Sequence, residues 1–273
     1  MESDPIDLPK SDLPPALEEA PACHPSGPQP QGWTYWDVVV VTGFAIGAQM
    51  FVYLAGVIVL LLIQHVHGGT STTLFDRMTR VSFVLPVQMV WWALVFWVIY
   101  RVVRARDPRP FRLAIGWVRP VLPIGAYMSG GALLALSVAG FAWLLPSPRK
   151  HMPMEQLFRD PLSASVLAVF GVSIAPLIEE LLFRGFLYPV VARAHGARAA
   201  VLGTALLFSL VHAPQYGWAW QNLVLLTYVG VVFGTIRAVS GTLVPSTLVH
   251  SAYNLTLFVG LYASSDRFRN LNF

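Results

Sequence analysis

Cysteine and charge are both scarce in this 273-residue chain. Its one cysteine, Cys23, excludes an intrachain disulfide and a cysteine-based metal cluster. Charged residues make up only 12% of the sequence, against about 25% in ordinary soluble domains, whereas hydrophobic residues make up 55%. This balance excludes an ordinary soluble domain and predicts a polytopic membrane protein.

Long apolar segments fill most of the chain after residue 32. A run of about 18 or more apolar residues can span a bilayer as a helix. We count about seven such segments, so the predicted fold is all-α, a polytopic membrane bundle of about seven transmembrane helices. The segments lie near residues 37–64, 80–103, 121–145, 162–184, 198–213, 220–238 and 243–263.

Basic side chains collect at one set of segment ends. With seven spans, most Lys and Arg residues fall on the side of the N-terminus, including the six arginines from Arg101 to Arg119. Because cytoplasmic loops carry an excess of Lys and Arg, this bias predicts a cytoplasmic N-terminus. The same loops account for the net charge of +4, so a nucleic-acid partner is not expected. The basic linker 104–120 suits an interface with anionic lipid headgroups.

The first 32 residues have a different composition from the rest. They are rich in proline and acidic residues, and they lack the basic and apolar regions of a signal peptide. A segment of such low hydrophobicity is expected to be a disordered tail. The first span must then serve as its own insertion signal.

Two adjacent acids are the most informative feature of the second half. Between Asp160 and Asp266 the chain has only Glu179 and Glu180 as carboxylates. A charge at membrane depth costs roughly 2.5 to 3.5 kcal/mol, so intramembrane acids indicate functional sites. On a helix Glu180 and Arg184 lie on one face, which predicts an ion pair. Glu179 points about 100° away from that face, so it is the carboxylate available as a general base.

Histidines occur in two further apolar segments. His212 ends the run AVLGTALLFSLVH, with Phe208 one turn earlier on the same face. His250 and Asn254 lie side by side on one helical face. An acid, a histidine and a histidine–asparagine pair on three successive apolar segments indicate one buried hydrolytic site.

A proline accompanies each of these polar positions. Within a helix a proline removes a backbone hydrogen bond and usually bends the axis. Polar groups freed in this way are tolerated in membranes where they line a cavity. The prolines expected to interrupt helices near the site are Pro176, Pro214 and Pro245.

Two mechanisms fit this set of side chains. In the first, Glu179, His212 and His250 hold zinc or another divalent ion, with Asn254 in or near its coordination shell, and the ion activates water. In the second, which needs no metal, Glu179 and His212 activate the water directly. His250 and Asn254 then donate hydrogen bonds to the developing oxyanion. The sequence has no HExxH or other strong zinc signature, so both mechanisms stay open.

Three motifs in this order resemble those of a known family. EELLFRG (179–185), FSLVH (208–212) and HSAYN (250–254) match the EExxxR, FxxxH and HxxxN motifs of the CPBP intramembrane proteases. This family comprises CAAX prenyl endopeptidases and bacteriocin-processing (Abi) proteins. The resemblance covers about residues 120–265. It implies a helical membrane hydrolase, an endopeptidase with an active-site cavity inside the bilayer that opens to the cytosol.

The resemblance also implies roles for individual residues. By motif position the catalytic set is Glu179, His212, His250 and Asn254, and the supporting residues are Glu180, Arg184 and Phe208. The family is usually described as metalloproteases, which would make Glu179, His212 and His250 the metal ligands. A glutamate mechanism without metal competes with that description.

The substrate class follows from the resemblance only in outline. Eukaryotic members remove the last three residues of prenylated CAAX proteins, whereas many other members serve bacteriocin immunity or process other membrane-associated peptides. We therefore expect a membrane-associated peptide or protein as substrate and membrane lipid as surroundings. The expected location is the plasma (inner) membrane of a bacterium.

The sequence thus predicts four regions and leaves two other functions open. The regions are a tail (1–32), N-terminal helices with the basic linker (33–119), a protease core (120–265) and a C-terminal tail (266–273). An ion-coupled membrane carrier would use Glu179 and the histidines as a proton relay, but no internal repeat of the kind common in carriers is evident. A catalytically silent immunity or scaffold protein would be unusual with all motifs intact.

Overall fold

A computed structural model describes residues 32–67, 72–145 and 152–271. Every regular element in these ranges is helical, which confirms the all-α prediction. The predicted disordered tail, with Cys23, lies outside the described residues except for its last position. The α-helices are α1 (Tyr35–His67), α2 (Thr72–Met78), α3 (Val81–Arg106), α4 (Phe111–Ala114), α5 (Ile124–Leu144), α6 (Pro161–Glu180), α7 (Tyr188–His212), α8 (Trp220–Ser240) and α9 (Val244–Ser264).

Three shorter helical segments complete the described chain. One 3-10 helix, Pro153–Leu157, precedes α6, and a second, Ala213–Tyr216, follows α7. A π-helical segment, Leu181–Leu187, joins α6 to α7 without a break. The residues from Pro161 into α7 therefore form one long, continuous helix.

Five described segments are long and apolar enough to cross a membrane. The fourth has 56 residues and contains two of the seven predicted spans. Helix α9 is not among the five, because its polar side chains lower its mean hydropathy. The polytopic bundle is confirmed, and the count of seven crossings stays a prediction. The five segments are Tyr35–Val66, Val81–Arg106, Ile124–Leu144, Pro161–Tyr216 and Trp220–Ser240.

A glycine turn folds α7 back along the helix that precedes it. Gly196 has a φ of 82°, in the left-handed region that glycine adopts at no steric cost. Beyond it, Val201 packs in one cluster with Tyr188, and Phe208 contacts Phe183 at 5.4 Å between ring centroids. Residues later in α7 contact residues earlier in the preceding helix, so the two helical stretches are antiparallel. The turn brings the end of α7 beside the end of α6.

The start of α6 is capped by a side chain. The Asp160 carboxylate accepts hydrogen bonds from the Ser163 hydroxyl and from its backbone N–H at 2.9 Å. These hydrogen bonds hold the pKa of Asp160 below its usual value. Pro161 fits the first turn, where its missing N–H has no helical partner to lose. Helix α6 therefore begins directly after Asp160.

The three prolines near the site occupy different positions in their helices. Pro176 lies inside α6, four residues before Glu180, as the sequence predicted. Pro245 instead lies in the first turn of α9, and Pro214 in the first turn of the second 3-10 helix. At a first turn proline is well accommodated. The expectation of an interrupted helix interior is therefore wrong for these two.

Helices α1 and α3 form an antiparallel pair beside α6. The Trp91 indole N–H donates to the Ala45 carbonyl at 2.7 Å, near the middle of both helices. At one end the Arg106 guanidinium pairs with Asp37 at 3.0 Å. The pair meets α6 where Trp92 stacks on Phe170, with ring centroids 5.2 Å apart.

Small residues set the distance between the core helices. A Cβ built at Gly230 in α8 would lie 2.9 Å from the Cα of Ala205 in α7. Gly234, one turn on, faces Val201 in the same way, at 3.3 Å. Close backbone approach through small residues is how helices commonly pack in membranes.

Gly131 allows the same close approach between α5 and α9. A Cβ there would lie 2.4 Å from the Val249 carbonyl oxygen and 2.5 Å from the Ala252 Cβ. Because no side-chain rotation relieves these contacts, Gly131→Ala must push the helices apart. We expect the free energy of unfolding to fall by about 1 to 3 kcal/mol, measured by reversible unfolding in lipid or detergent. Gly130→Ala is the matched control, since its Cβ would meet only Val249, at 3.8 Å. Equal effects of the two variants would contradict the prediction.

Candidate active site

A buried ion pair lies where α6 passes into the π-helical segment. Such segments are frequent at functional sites. The Arg184 Nη1 donates to Glu180 Oε1 at 2.9 Å, and both side chains are fully buried. The Arg184 Nη2 donates to the Gly230 carbonyl at 2.9 Å, which ties the pair to α8. The ion pair predicted from the spacing of the two residues is confirmed.

Aromatic rings enclose the buried guanidinium. The Arg184 Cζ lies 5.0 Å from the ring centroid of Phe208, 5.4 Å from Phe233 and 5.7 Å from Phe183. Cation–π attraction reaches about 2 kcal/mol or more where water is excluded. These contacts offset part of the hydration that the guanidinium loses.

Glu179 lies between the two histidines. The His212 Nε2 is 3.8 Å from Glu179 Oε1, and the His250 Nε2 is 3.7 Å from Glu179 Oε2. The structure thus brings together the three residues that the motifs place on three segments. The side chains of Glu179 and His212 are 18% and 15% exposed. In contrast to Glu180, this carboxylate can be reached by water or substrate.

Hydrogen bonds fix which imidazole nitrogen faces Glu179. The His212 Nδ1 is 2.7 Å from the Phe208 carbonyl, which can only accept, so Nδ1 carries the proton. The His250 Nδ1 is 3.2 Å from Glu180 Oε1, a carboxylate oxygen that also accepts. When both histidines are neutral, each Nε2 therefore presents a lone pair to Glu179.

The facing groups are all hydrogen-bond acceptors. At 3.7 and 3.8 Å the nitrogen–oxygen distances are too long for direct hydrogen bonds. A polar contact of this length suits a bridging water, which brings two O–H donors. The arrangement can therefore hold a water against a carboxylate base.

The same donor set has the chemistry of a zinc site but not its spacing. Two imidazole nitrogens and a carboxylate oxygen are common zinc ligands, and each imidazole is anchored at Nδ1, as metal-bound histidines are. Ligand atoms on a tetrahedral zinc ion lie roughly 3.3 Å apart. Within the described ranges, no group of three or more His, Cys, Asp or Glu side chains has the geometry to hold a metal ion. The predicted metal ligands Glu179, His212 and His250 thus meet as neighbours, and metal binding by them stays a prediction.

Asn254 is anchored to α6. Its Nδ2 donates to the Gly171 carbonyl at 2.7 Å. A Cβ at Gly171 would lie 2.9 Å from Phe258, so the absence of a side chain permits this approach. One N–H of the amide is used here, and the second is the one available to a ligand. The predicted catalytic role of Asn254 stays a prediction.

Phe233 belongs to the site although no motif pointed to it. Its ring stacks on the His250 imidazole with centroids 4.4 Å apart and planes 25° apart. It also contacts Phe208 and Tyr253, and it is fully buried. A lone phenylalanine in an apolar helix gives no chemical signal. The available signal was its place between Gly230 and Gly234, which mark the face of α8 in close contact with α7.

The fold and the site together define a helical membrane protein with a partly buried Glu–His–His cluster. Residues 161–256 match the family model for Rce1-like proteins, described as type II CAAX prenyl endopeptidase Rce1-like. Residues 161–256 are therefore an Rce1-like domain, which supports the family resemblance of the motifs. The match lies within the predicted core 120–265, and it contains all three motifs. No curated protein and no solved structure matches the chain.

Proposed function

We propose that this protein is an intramembrane endopeptidase that hydrolyses a peptide bond of a membrane-associated substrate with water activated by Glu179 and His212. One observation carries the proposal. The Glu179 carboxylate, partly exposed, faces the Nε2 atoms of His212 and His250 at 3.8 and 3.7 Å. This cluster lies in the segment that matches the endopeptidase family.

In the proposed reaction Glu179 is the general base. A water held between Glu179 and His212 gives a proton to the Glu179 carboxylate as its oxygen attacks the carbonyl carbon of the scissile amide. A tetrahedral intermediate with an oxyanion forms. When the C–N bond breaks, Glu179 returns the proton to the leaving amine.

His250 and Asn254 are the proposed oxyanion donors. His250 enters the proposed reaction protonated at both ring nitrogens, with its Nδ1–H donated to Glu180 Oε1. Its Nε2–H can then donate to the oxyanion, together with the second amide N–H of Asn254. Glu180 and Arg184 act as positioning residues, because they hold His250 without reaching the exposed side of the site.

Cleavage of defined peptides tests this proposal. The purified full chain in proteoliposomes is given a panel of membrane-anchored peptides, with and without a chelator. A farnesylated CAAX peptide is included because the matching family model is that of CAAX prenyl endopeptidases. We expect cleavage that requires Glu179 and resists the chelator. Chelator-sensitive cleavage restored by zinc would favour the metal mechanism, and proton flux without cleavage would favour the carrier.

Phe233→Leu tests how the orientation of His250 affects the reaction. Stacked aromatic pairs contribute about 0.5 to 1.5 kcal/mol, so we expect kcat to fall roughly two- to tenfold. Phe170→Leu is the control, because its stacking partner Trp92 lies away from the site. Equal losses of kcat in both variants would show a general packing effect instead.

A further inference from the structure

An apolar groove with a basic end runs between α1 and α3. Its volume is about 730 Å³, within the range of roughly 300 to 1,000 Å³ typical of ligand pockets. Apolar side chains from both helices line most of it, among them Val52, Val59 and Val87. Arg77, Arg80 and Ser82 line the end near the start of α3. The groove lies outside the Rce1-like domain.

The basic end carries more positive than negative charge. The Asp76 carboxylate forms ion pairs with two guanidinium groups, that of Arg80 at 2.6 Å and that of Arg159. Arg77 forms no ion pair with another residue in the described part of the chain. Asp160 is engaged in capping α6. Among the arginines of this region, Arg77 is therefore the one whose positive charge no carboxylate compensates in the described part of the chain.

The length of the groove corresponds to one leaflet. Along α1 its lining runs from Val52 to Ile63, a rise of about 17 Å at 1.5 Å per residue. Half of the hydrocarbon core of a bilayer is about 15 Å thick. An acyl chain of a lipid whose headgroup lay at the arginines would therefore run along the apolar lining.

We propose that this groove binds an anionic phospholipid, with its phosphate on Arg77 and Arg80 and an acyl chain between α1 and α3. The guanidinium fork suits the phosphate oxygens, and Ser82 adds a hydroxyl donor. The uncompensated positive charge selects an anionic over a zwitterionic headgroup. This binding does not depend on the proposed hydrolysis.

Native mass spectrometry of the full chain tests the proposal. The protein is released from a bilayer of phosphatidylglycerol and phosphatidylcholine with identical acyl chains, and the retained lipids are counted. We expect preferential retention of phosphatidylglycerol. Arg77→Gln should lower the ratio of phosphatidylglycerol to phosphatidylcholine about fivefold, the usual effect of one basic residue at a membrane surface.

Two further variants separate a defined groove from general attraction of headgroups. Ala55→Trp fills the groove and keeps the arginines, so it should abolish retention of the bound lipid. Arg269→Gln removes the same charge from an exposed position outside the groove and should change nothing. Equal retention of both lipids by the unmodified protein would overturn the proposal. So would undiminished retention in Ala55→Trp, or equal losses in Arg77→Gln and Arg269→Gln.

Discussion

Glu179→Gln is expected to abolish peptide cleavage and to leave the protein folded and inserted. The amide has nearly the shape of the carboxylate but cannot accept the proton of the attacking water. A general base contributes about 10² to 10⁴-fold to a rate, so we expect a loss of that size in kcat/KM. The measurement is cleavage of a membrane-anchored peptide in proteoliposomes, with insertion checked by protease protection.

The free energy of unfolding should distinguish a substitution at Glu179 from one at Glu180. Glu179 approaches its histidine partners no closer than 3.7 Å, so its neutral variant should unfold like the unmodified protein. Glu180→Gln weakens a buried ion pair at 2.9 Å and should be less stable as well as less active. Retained cleavage by the Glu179→Gln variant would contradict the proposed mechanism.

Arg184→Met is expected to have the largest effect on stability. The Glu180 carboxylate would stay fully buried without the guanidinium that pairs with it. Breaking a buried pair by removing one partner costs about 3 to 5 kcal/mol. We expect a loss of this size in the free energy of unfolding, measured by denaturant titration in mixed micelles.

A double variant tests whether the unpaired Glu180 charge causes the loss of stability in Arg184→Met. Adding Glu180→Gln to Arg184→Met removes the unpaired charge and should recover part of the stability. Arg112→Met is the matched control, because Arg112 is exposed in the basic linker. An effect of Arg112→Met as large as that of Arg184→Met would contradict the argument.

Sequence periodicity and length predicted most of the helices. The apolar segments near 80–103 and 220–238 correspond to Val81–Arg106 and Trp220–Ser240. The spacing of Glu180 and Arg184 predicted their ion pair. These features depend on residues that are close together in the chain.

Contacts between helices could not be predicted in the same way. The hydrogen bond from His250 to Glu180, and that from Asn254 to Gly171, depend on how far α9 is shifted along α6. That shift is set by close approaches at Gly131 and Gly171, which no local pattern encodes. The position of Phe233 against His250 follows from the same packing.

The two adjacent glutamates have different roles, so they should be conserved differently when related sequences diverge. Glu180 holds the fold together through Arg184 and also orients His250, so selection for folding alone preserves it. Glu179 makes no close ion pair, so we expect it to contribute little to folding and to be preserved only by selection for activity, together with His212. In a descendant that has lost catalysis, Glu179 and His212 should drift while the buried pair persists. Under the proposed mechanism, an intact Glu180–Arg184 pair marks the architecture, and Glu179 with His212 marks peptidase activity.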